Sequence, residues 1–265
     1  MAKAKIETQV EGLGDIYYCN DSAFDDASKA VLGKATALIS FRDLAYARIK
    51  EGKDSSVSQN GSYVREGSLF VPNADNKRIW LRESLVLQNP TDAVKTHKKG
   101  NEYLLSEDFN VDAHLEKVGK NNYLVLTDTS AVPTNRFGED ARTVWAFDDQ
   151  AKEYGAFLKD AGISASNIWM YTDNDKGIDK QSRPFANQLW LRGLGSDSDV
   201  SGGNRSLDDG RWVRGVRRES AEGGALKNVG VYTPTEFLTA SGNVGLVITG
   251  DLEKTLLAEL DKLRK

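Results

Sequence analysis

Side chains able to hold a metal ion or attack a substrate are few in this 265-residue chain. The one cysteine, Cys19, follows the apolar run Ile16-Tyr17-Tyr18. A nucleophilic thiol needs a base or cation beside it to form the thiolate. No neighbouring motif supplies one, so a buried small residue is expected. The two histidines, His97 and His114, lie in polar contexts without cysteines at metal-ligand spacing, and solvated surface positions are expected. Asp173-Asn174-Asp175-Lys176-Gly177 has the acidic alternation of a calcium loop. That pattern needs a further oxygen ligand where Lys176 or Gly177 stands and a glutamate where Pro184 falls, so a polar turn is expected. Asp197-Ser198-Asp199 and Asp208-Asp209 could attract a hard cation, but no fixed backbone ligands accompany them, and a solvated loop is expected. No glycine-rich phosphate loop, dinucleotide fingerprint or nucleophile elbow occurs. We therefore expect no catalytic residue, metal or cofactor.

The acidic pairs belong to a more unusual segment. Gly, Ser, Asp and Asn fill 14 of the 20 positions from Arg192 to Arg211. Such composition normally marks a flexible linker. Here it is held at both ends by strand-like, aromatic-rich sequence, Phe185 to Leu191 and Trp212-Val213-Arg214-Gly215-Val216. A displayed surface is a better reading than a tether.

The elements that must position this segment follow from periodicity. Residues 25–50 read as one helix, with Ala30, Val31, Leu38, Phe41, Leu44, Ala45 and Ile49 near helical spacing and Asp25 and Asp26 at its start. Residues 52–61 read as a polar loop. Tyr63-Val64-Arg65, Ser68-Leu69-Phe70-Val71-Pro72 and Arg78-Ile79-Trp80-Leu81 read as strands of a hairpin turning at residues 73–76. A short helix is expected over 92–98 after Pro90, and a strand over 121–127. A second long helix is expected over 142–161, stopped by Gly162. Strands are expected at 167–171, 184–191 and 211–217, and a terminal helix at 251–263. In the strand 213–217, alternation places Arg214 and Val216 on one face. A buried arginine paired with a carboxylate and a solvated edge strand both fit that pattern. Helices and strands are interspersed without βαβ rhythm, which argues for an α+β protein with mainly antiparallel strands.

Composition limits the partners. The chain is 39% apolar and 28% charged with a net charge of -4 and no dominant basic run, so nucleic acid is not expected. A single cysteine excludes an internal disulfide framework. The first residues lack the apolar core of a signal peptide, and no apolar run is long enough to span a membrane. A protein made in the cytoplasm is expected, able to reach a virion surface by assembly.

Arg183-Pro184-Phe185-Ala186-Asn187-Gln188-Leu189-Trp190, the Gly/Ser/Asp stretch and Val213-Arg214-Gly215-Val216-Arg217 together resemble the C-terminal part of variable proteins of diversity-generating retroelements. The archaeal and archaeal-virus members are the more similar. Ser40-Phe41-Arg42-Asp43-Leu44-Ala45, Val64-Arg65-Glu66-Gly67 and Arg136-Phe137-Gly138-Glu139-Asp140 agree with them. The resemblance spans about residues 40–219.

It implies a C-type-lectin fold of the formylglycine-generating-enzyme-like kind, with mainly antiparallel strands and two or three helices. It implies one domain over 1–265, a variable region at 190–217 and a C-terminal extension at 221–265. In such systems a reverse transcriptase mutates the adenines of a template, so Asn codons become many others, but never Lys, Glu, Gln, Met or Trp. None of those five occurs from Arg192 to Arg211. By the resemblance, Leu189, Trp190, Leu194, Val200, Arg205, Leu207, Trp212, Val213 and Val216 are fixed framework. The implied variable, ligand-facing positions are Arg192, Gly193, Gly195, Ser196, Asp197, Asp199, Ser201, Gly202, Gly203, Asn204, Ser206, Asp208, Asp209, Gly210 and Arg211. The expected function is non-enzymatic binding of an unknown protein or cell-surface ligand. A virion assembly protein, or an enzyme of the formylglycine-generating type, are the alternatives.

Overall fold

The computed structural model describes residues 2–72, 77–128, 130–169, 181–196, 198–202 and 207–218. By its internal contacts the chain divides into Met1–Glu219 and Ser220–Lys265, and the described residues all belong to the first. The expected helix at 251–263, the acidic turn at 173–177 and the hairpin turn at 73–76 lie outside the described residues.

The chain opens with a hairpin of β1 (Lys5–Val10) and β2 (Gly14–Cys19). Helix α1 (Phe24–Leu32) follows, with Asp25 and Asp26 in its first turn, where carboxylates favour the helix dipole. Helix α2 (Phe41–Glu51) starts at Ser40, whose Oγ accepts the Asp43 N–H at 3.1 Å. The long strand β3 (Ser62–Val71) and β4 (Lys77–Leu81) form the expected hairpin. Helix α3 (Pro90–His97) has Pro at its first position and Asn89 as its cap. Helix α4 (Val111–Val118) is capped by Asn110 and leads to β5 (Tyr123–Leu126) beside β4. Helices α5 (Ala141–Phe147) and α6 (Ala151–Asp160) precede β6 (Phe185–Leu191) and β7 (Val213–Arg217).

The pairing is mainly antiparallel, as expected. β3 lies between β4 and β6, with Phe70 opposite Phe185 and Ser62 opposite Leu191. β7 returns to the N-terminal hairpin, with Val213 opposite Cys19 and Val216 opposite Ile16. On its other edge it meets Tyr63 in parallel and the short strand Ala37–Leu38. Every residue of β6 is buried, as happens when both faces of a sheet are covered. Phe185, Leu189 and Leu191 join the core that includes Leu44, Ala146 and Leu158 of α2, α5 and α6. Ala186 and Trp190 join a second core that includes Val31 of α1 and Val94 of α3.

Two expectations about helices are corrected, and with them the count of two or three. Residues 25–50 form α1, the strand Ala37–Leu38 and α2. The Ser40 cap restarts the helix, while pairing with β7 holds 37–38 extended despite their helical spacing. Residues 142–161 break at Asp148, where φ is +53° between α5 and a short 3-10 turn. Gly162, at φ +87°, ends α6 as expected. The loop expected at 52–61 contains a helical turn, Ser56–Gln59.

Candidate functional site

The Gly/Ser/Asp stretch folds back on the strand that launches it. Its short strand Val200–Ser201 pairs with Leu191 and Trp190 of β6, and Arg192 N–H donates to Asp199 O at 2.9 Å. Ser198 takes φ +53° to make that return, and its N–H donates to Gly193 O at 3.2 Å. The far end of the stretch comes back to the same place. Trp190 and Arg192 at its start, and Gly210, Arg211 and Trp212 at its end, line one groove of about 350 Å³ against Gln59, Asn60 and Gly61. Trp212 stacks on Tyr18 at 4.5 Å, and Trp190 packs edge-on to Tyr63 at 4.9 Å.

Two buried arginines hold the inner side of this region. Arg48 of α2 donates to the Tyr154 hydroxyl at 2.7 Å, to Ser198 Oγ at 3.2 Å, and to the Val57 and Asn60 carbonyls. Complete burial pushes its pKa down, because the charged form loses water. Arg214 of β7 forms a two-pronged ion pair with Glu7 at 2.6 and 2.8 Å and donates to Gly61 O at 2.8 Å. Sequence alternation left a buried pair and a solvated edge open at Arg214; the side chains are 0% and 4% exposed, and the buried pair is what forms.

The candidate variable positions separate by burial. Gly195, Asp208, Asp209 and Gly210 are exposed. Arg192 and Arg211 are half-buried, Arg211 bonding Asp209 at 2.9 and 3.0 Å and Arg192 lying 3.9 Å from Asp199. Ser196 closes a short 3-10 turn, Leu194–Ser196. Asp199, Ser201 and Gly202 are buried, which corrects the expectation that they face a ligand; Gly193 is buried too and, though it lines the groove, has no room for a variable side chain. A side chain at Gly193 would start 2.0 Å from Gln59 O. The Asp199 carboxylate accepts the Asn167 N–H at 2.8 Å, Ser201 sits in the return strand, and Gly202 O accepts from Asn187 at 3.4 Å. Asp197, Gly203, Asn204 and Ser206 lie outside the described residues. Of the framework positions, Leu189, Trp190, Val200, Leu207, Val213 and Val216 are buried, Leu194 and Trp212 are half-buried, and Arg205 lies outside the described residues.

Elsewhere, Cys19 is buried as expected. Its thiol lies 3.2 Å from Asp21, and burial raises its pKa, the opposite of thiolate activation. His97 corrects the surface expectation: it is 8% exposed, on the inward side of α3. His114 is half-buried against Phe109 at 5.4 Å, and burial lowers its pKa. Among the described residues no group of acidic, histidine or cysteine side chains could hold a metal ion, and no helix is long and apolar enough to cross a membrane.

Sequence reasoning missed a second cavity, of about 550 Å³, beside the start of α2. Glu66 lines it and is fully buried. Burial raises the Glu66 pKa to about 7, offset in part by the nearby Arg65 charge. The available signal was the charged pair Arg65-Glu66 inside an otherwise uncharged strand.

No family model and no curated protein matches the sequence. A solved structure described by the words "Accommodation of massive sequence variation in Nanoarchaeota by the C-type lectin fold" superposes with a TM-score of 0.52 at 17% identity, over 82% of this chain and 98% of that one. The fold is that of a C-type lectin. At this identity the likeness speaks to architecture. Within this lectin fold, the closing strand β7 beside the N-terminal hairpin brings Trp212 next to Tyr18 and so fixes the far wall of the groove.

Proposed function

We propose that this chain is a non-catalytic, hypervariable binding protein that displays retroelement-diversified side chains on its lectin-fold frame. The observation carrying this reading is the division of residues 190–212. The apolar positions Trp190, Val200 and Leu207 are buried, whereas Gly195, Asp208, Asp209 and Gly210 are exposed beside the groove. A rigid frame with a polar, adaptable rim tolerates sequence change without unfolding. The ligand-facing set that fits this geometry is Arg192, Gly195, Asp208, Asp209, Gly210 and Arg211, with Ser196, Asp197, Gly203, Asn204 and Ser206 carried over from the sequence reading. The ligand is a protein or other cell-surface molecule, and display on a virion fits an archaeal-virus origin. Kinship with formylglycine-generating enzymes concerns the frame, since the buried Cys19 thiol gives no support to a thiolate nucleophile.

The rim lacks Tyr and Phe, the residues that usually anchor binding loops. Trp190 and Trp212 supply aromatic surface in the groove, but as framework they are common to every variant. This variant therefore binds weakly. A nanomolar ligand that depends on residues 196–210 would contradict that expectation. The decisive experiment on diversification is to sequence the surrounding locus. A reverse transcriptase gene and a near-repeat of codons 190–217 differing at adenines are expected, and finding no repeat overturns the reading.

A further inference from the structure

The cavity beside α2 is lined by side chains of both signs, and most of them are already paired. Arg42 bonds Asp149 at 2.8 Å, Arg218 reaches Asp43 at 3.0 Å, and Arg65 lies 3.3 Å from Glu83. Glu66 and Arg82 stand out among the lining groups that remain. Glu66 Oε2 accepts the Phe41 N–H at 3.2 Å, but Oε1 is buried with no hydrogen-bond partner among the described residues. The Arg82 guanidinium lies 4.2 Å from the Trp145 ring centre and has no ion pair or hydrogen bond among the described residues. Burial lowers its pKa, and the Glu66 charge opposes that shift.

A buried carboxylate oxygen without a donor is costly, and native interiors satisfy nearly all such atoms. The cap bond to Phe41 explains one Glu66 oxygen and leaves the other without a donor in the wall of a space large enough for a small molecule. A purely cationic ligand would serve Glu66 but be opposed by the Arg65 and Arg82 charges beside it. A purely anionic one would serve Arg82 and be opposed by Glu66 and Asp148. An apolar one would desolvate both without return.

We propose that this cavity binds a small zwitterion of the free α-amino acid type, its ammonium donating to Glu66 Oε1 and its carboxylate accepting from Arg82. The site is separate from the groove at residues 190–212, so it stands whether or not that stretch is diversified. Ionised Glu66 is the stronger acceptor for an ammonium, so a bound ammonium favours the carboxylate form of Glu66.

The test uses the full chain, with thermal shift and calorimetry against each of the free L-amino acids at millimolar concentration. Each is compared with its N-acetyl derivative, which removes the cation, and its amide, which removes the anion. At least one free amino acid is expected to raise Tm, with affinity falling by about tenfold or more for both derivatives. Glu66→Gln and Arg82→Gln are each expected to cause a similar loss. Melting of unliganded Glu66→Gln at pH 8 should be no lower than that of the parent, which separates loss of a ligand contact from loss of structure. Binding by none of the amino acids overturns the proposal. So does equal binding of the amide, which would mark a simple cation site, or affinity unchanged in Glu66→Gln.

Discussion

Arg48 Nη1 donates to Ser198 Oγ at 3.2 Å, so a charge buried on α2 holds the middle of the Gly/Ser/Asp stretch from inside the protein. The same nitrogen donates to the Tyr154 hydroxyl, which lies 2.8 Å from Ser198 Oγ, closing a three-membered network. Arg48→Met is expected to cost about 3 kcal/mol or more, because it strips donors from two carbonyls and two hydroxyls at once. Ser198→Ala should cost about 1 to 2 kcal/mol, since Arg48 keeps its other acceptors. Urea unfolding followed by tryptophan fluorescence measures both, and an Arg48→Met loss below that of Ser198→Ala would refute the network's role.

The Glu7–Arg214 pair ties β1 to β7, the first and last strands among the described residues. Breaking a buried pair from one side leaves an uncompensated charge, so Glu7→Gln and Arg214→Met should each cost about 3 to 5 kcal/mol. In a double-mutant cycle the two losses should fall well short of adding. Simple additivity would show that the residues do not act as a pair.

Inner and outer positions of the stretch should respond oppositely to the same substitution. Asp208→Tyr and Asp209→Tyr are expected to change stability by less than about 0.5 kcal/mol, as at unremarkable surface sites. Gly193→Tyr should abolish cooperative unfolding or sharply lower Tm, because its Cβ would meet the Gln59 carbonyl at 2.0 Å. Ser201→Tyr should also lower Tm, since the residue is buried opposite Trp190. Equal tolerance at all four positions would argue against a pinned inner row.

Glu66 gives the unliganded fold a pH dependence of defined sign. Its folded pKa of about 7 lies above the usual carboxylate value of 4.5. Its contribution is therefore fully present below about pH 4.5 and is lost as pH rises through about 7. Relative to Glu66→Gln, the parent should lose up to about 3 kcal/mol between pH 5 and pH 8. Parallel denaturation curves at the two pH values measure this difference. A constant gap would mean that Glu66 titrates alike in both states.

The elements bordering the stretch were legible because their signals are local. Phe185 to Leu191 is a strand rich in apolar and aromatic residues, and Pro90 after Asn89 starts α3 as its chemistry requires. Ala37–Leu38 was not legible, since its helical spacing is overridden by a partner in β7 that lies far along the chain. The framework positions of the stretch were readable as apolar residues in a polar background. The inner row was not. Gly193, Asp199, Ser201 and Gly202 have the composition of exposed rim residues, and only the return strand and the Asn167 contact turn them inward. Arg48 was hidden and Arg214 was left open between two readings for the same reason, because arginine is ordinarily a surface residue and its burial depends on acceptors distant in sequence.

The position of β7 has a consequence for synthesis. Ile16 waits for Val216, 200 residues later, before β2 gains its inner partner. A nascent chain that has just completed residues 192–211 therefore still exposes the inner edges of β2 and of Tyr63 in β3, and pairs them only as the next residues emerge. Such long-range closure is slow. Closure of this sheet thus follows translation of the stretch, and a sequence there that cannot make its turn back to β6 leaves the strand that would seal the sheet unable to dock. Proteolytic quality control would meet such chains as open, unsealed sheets.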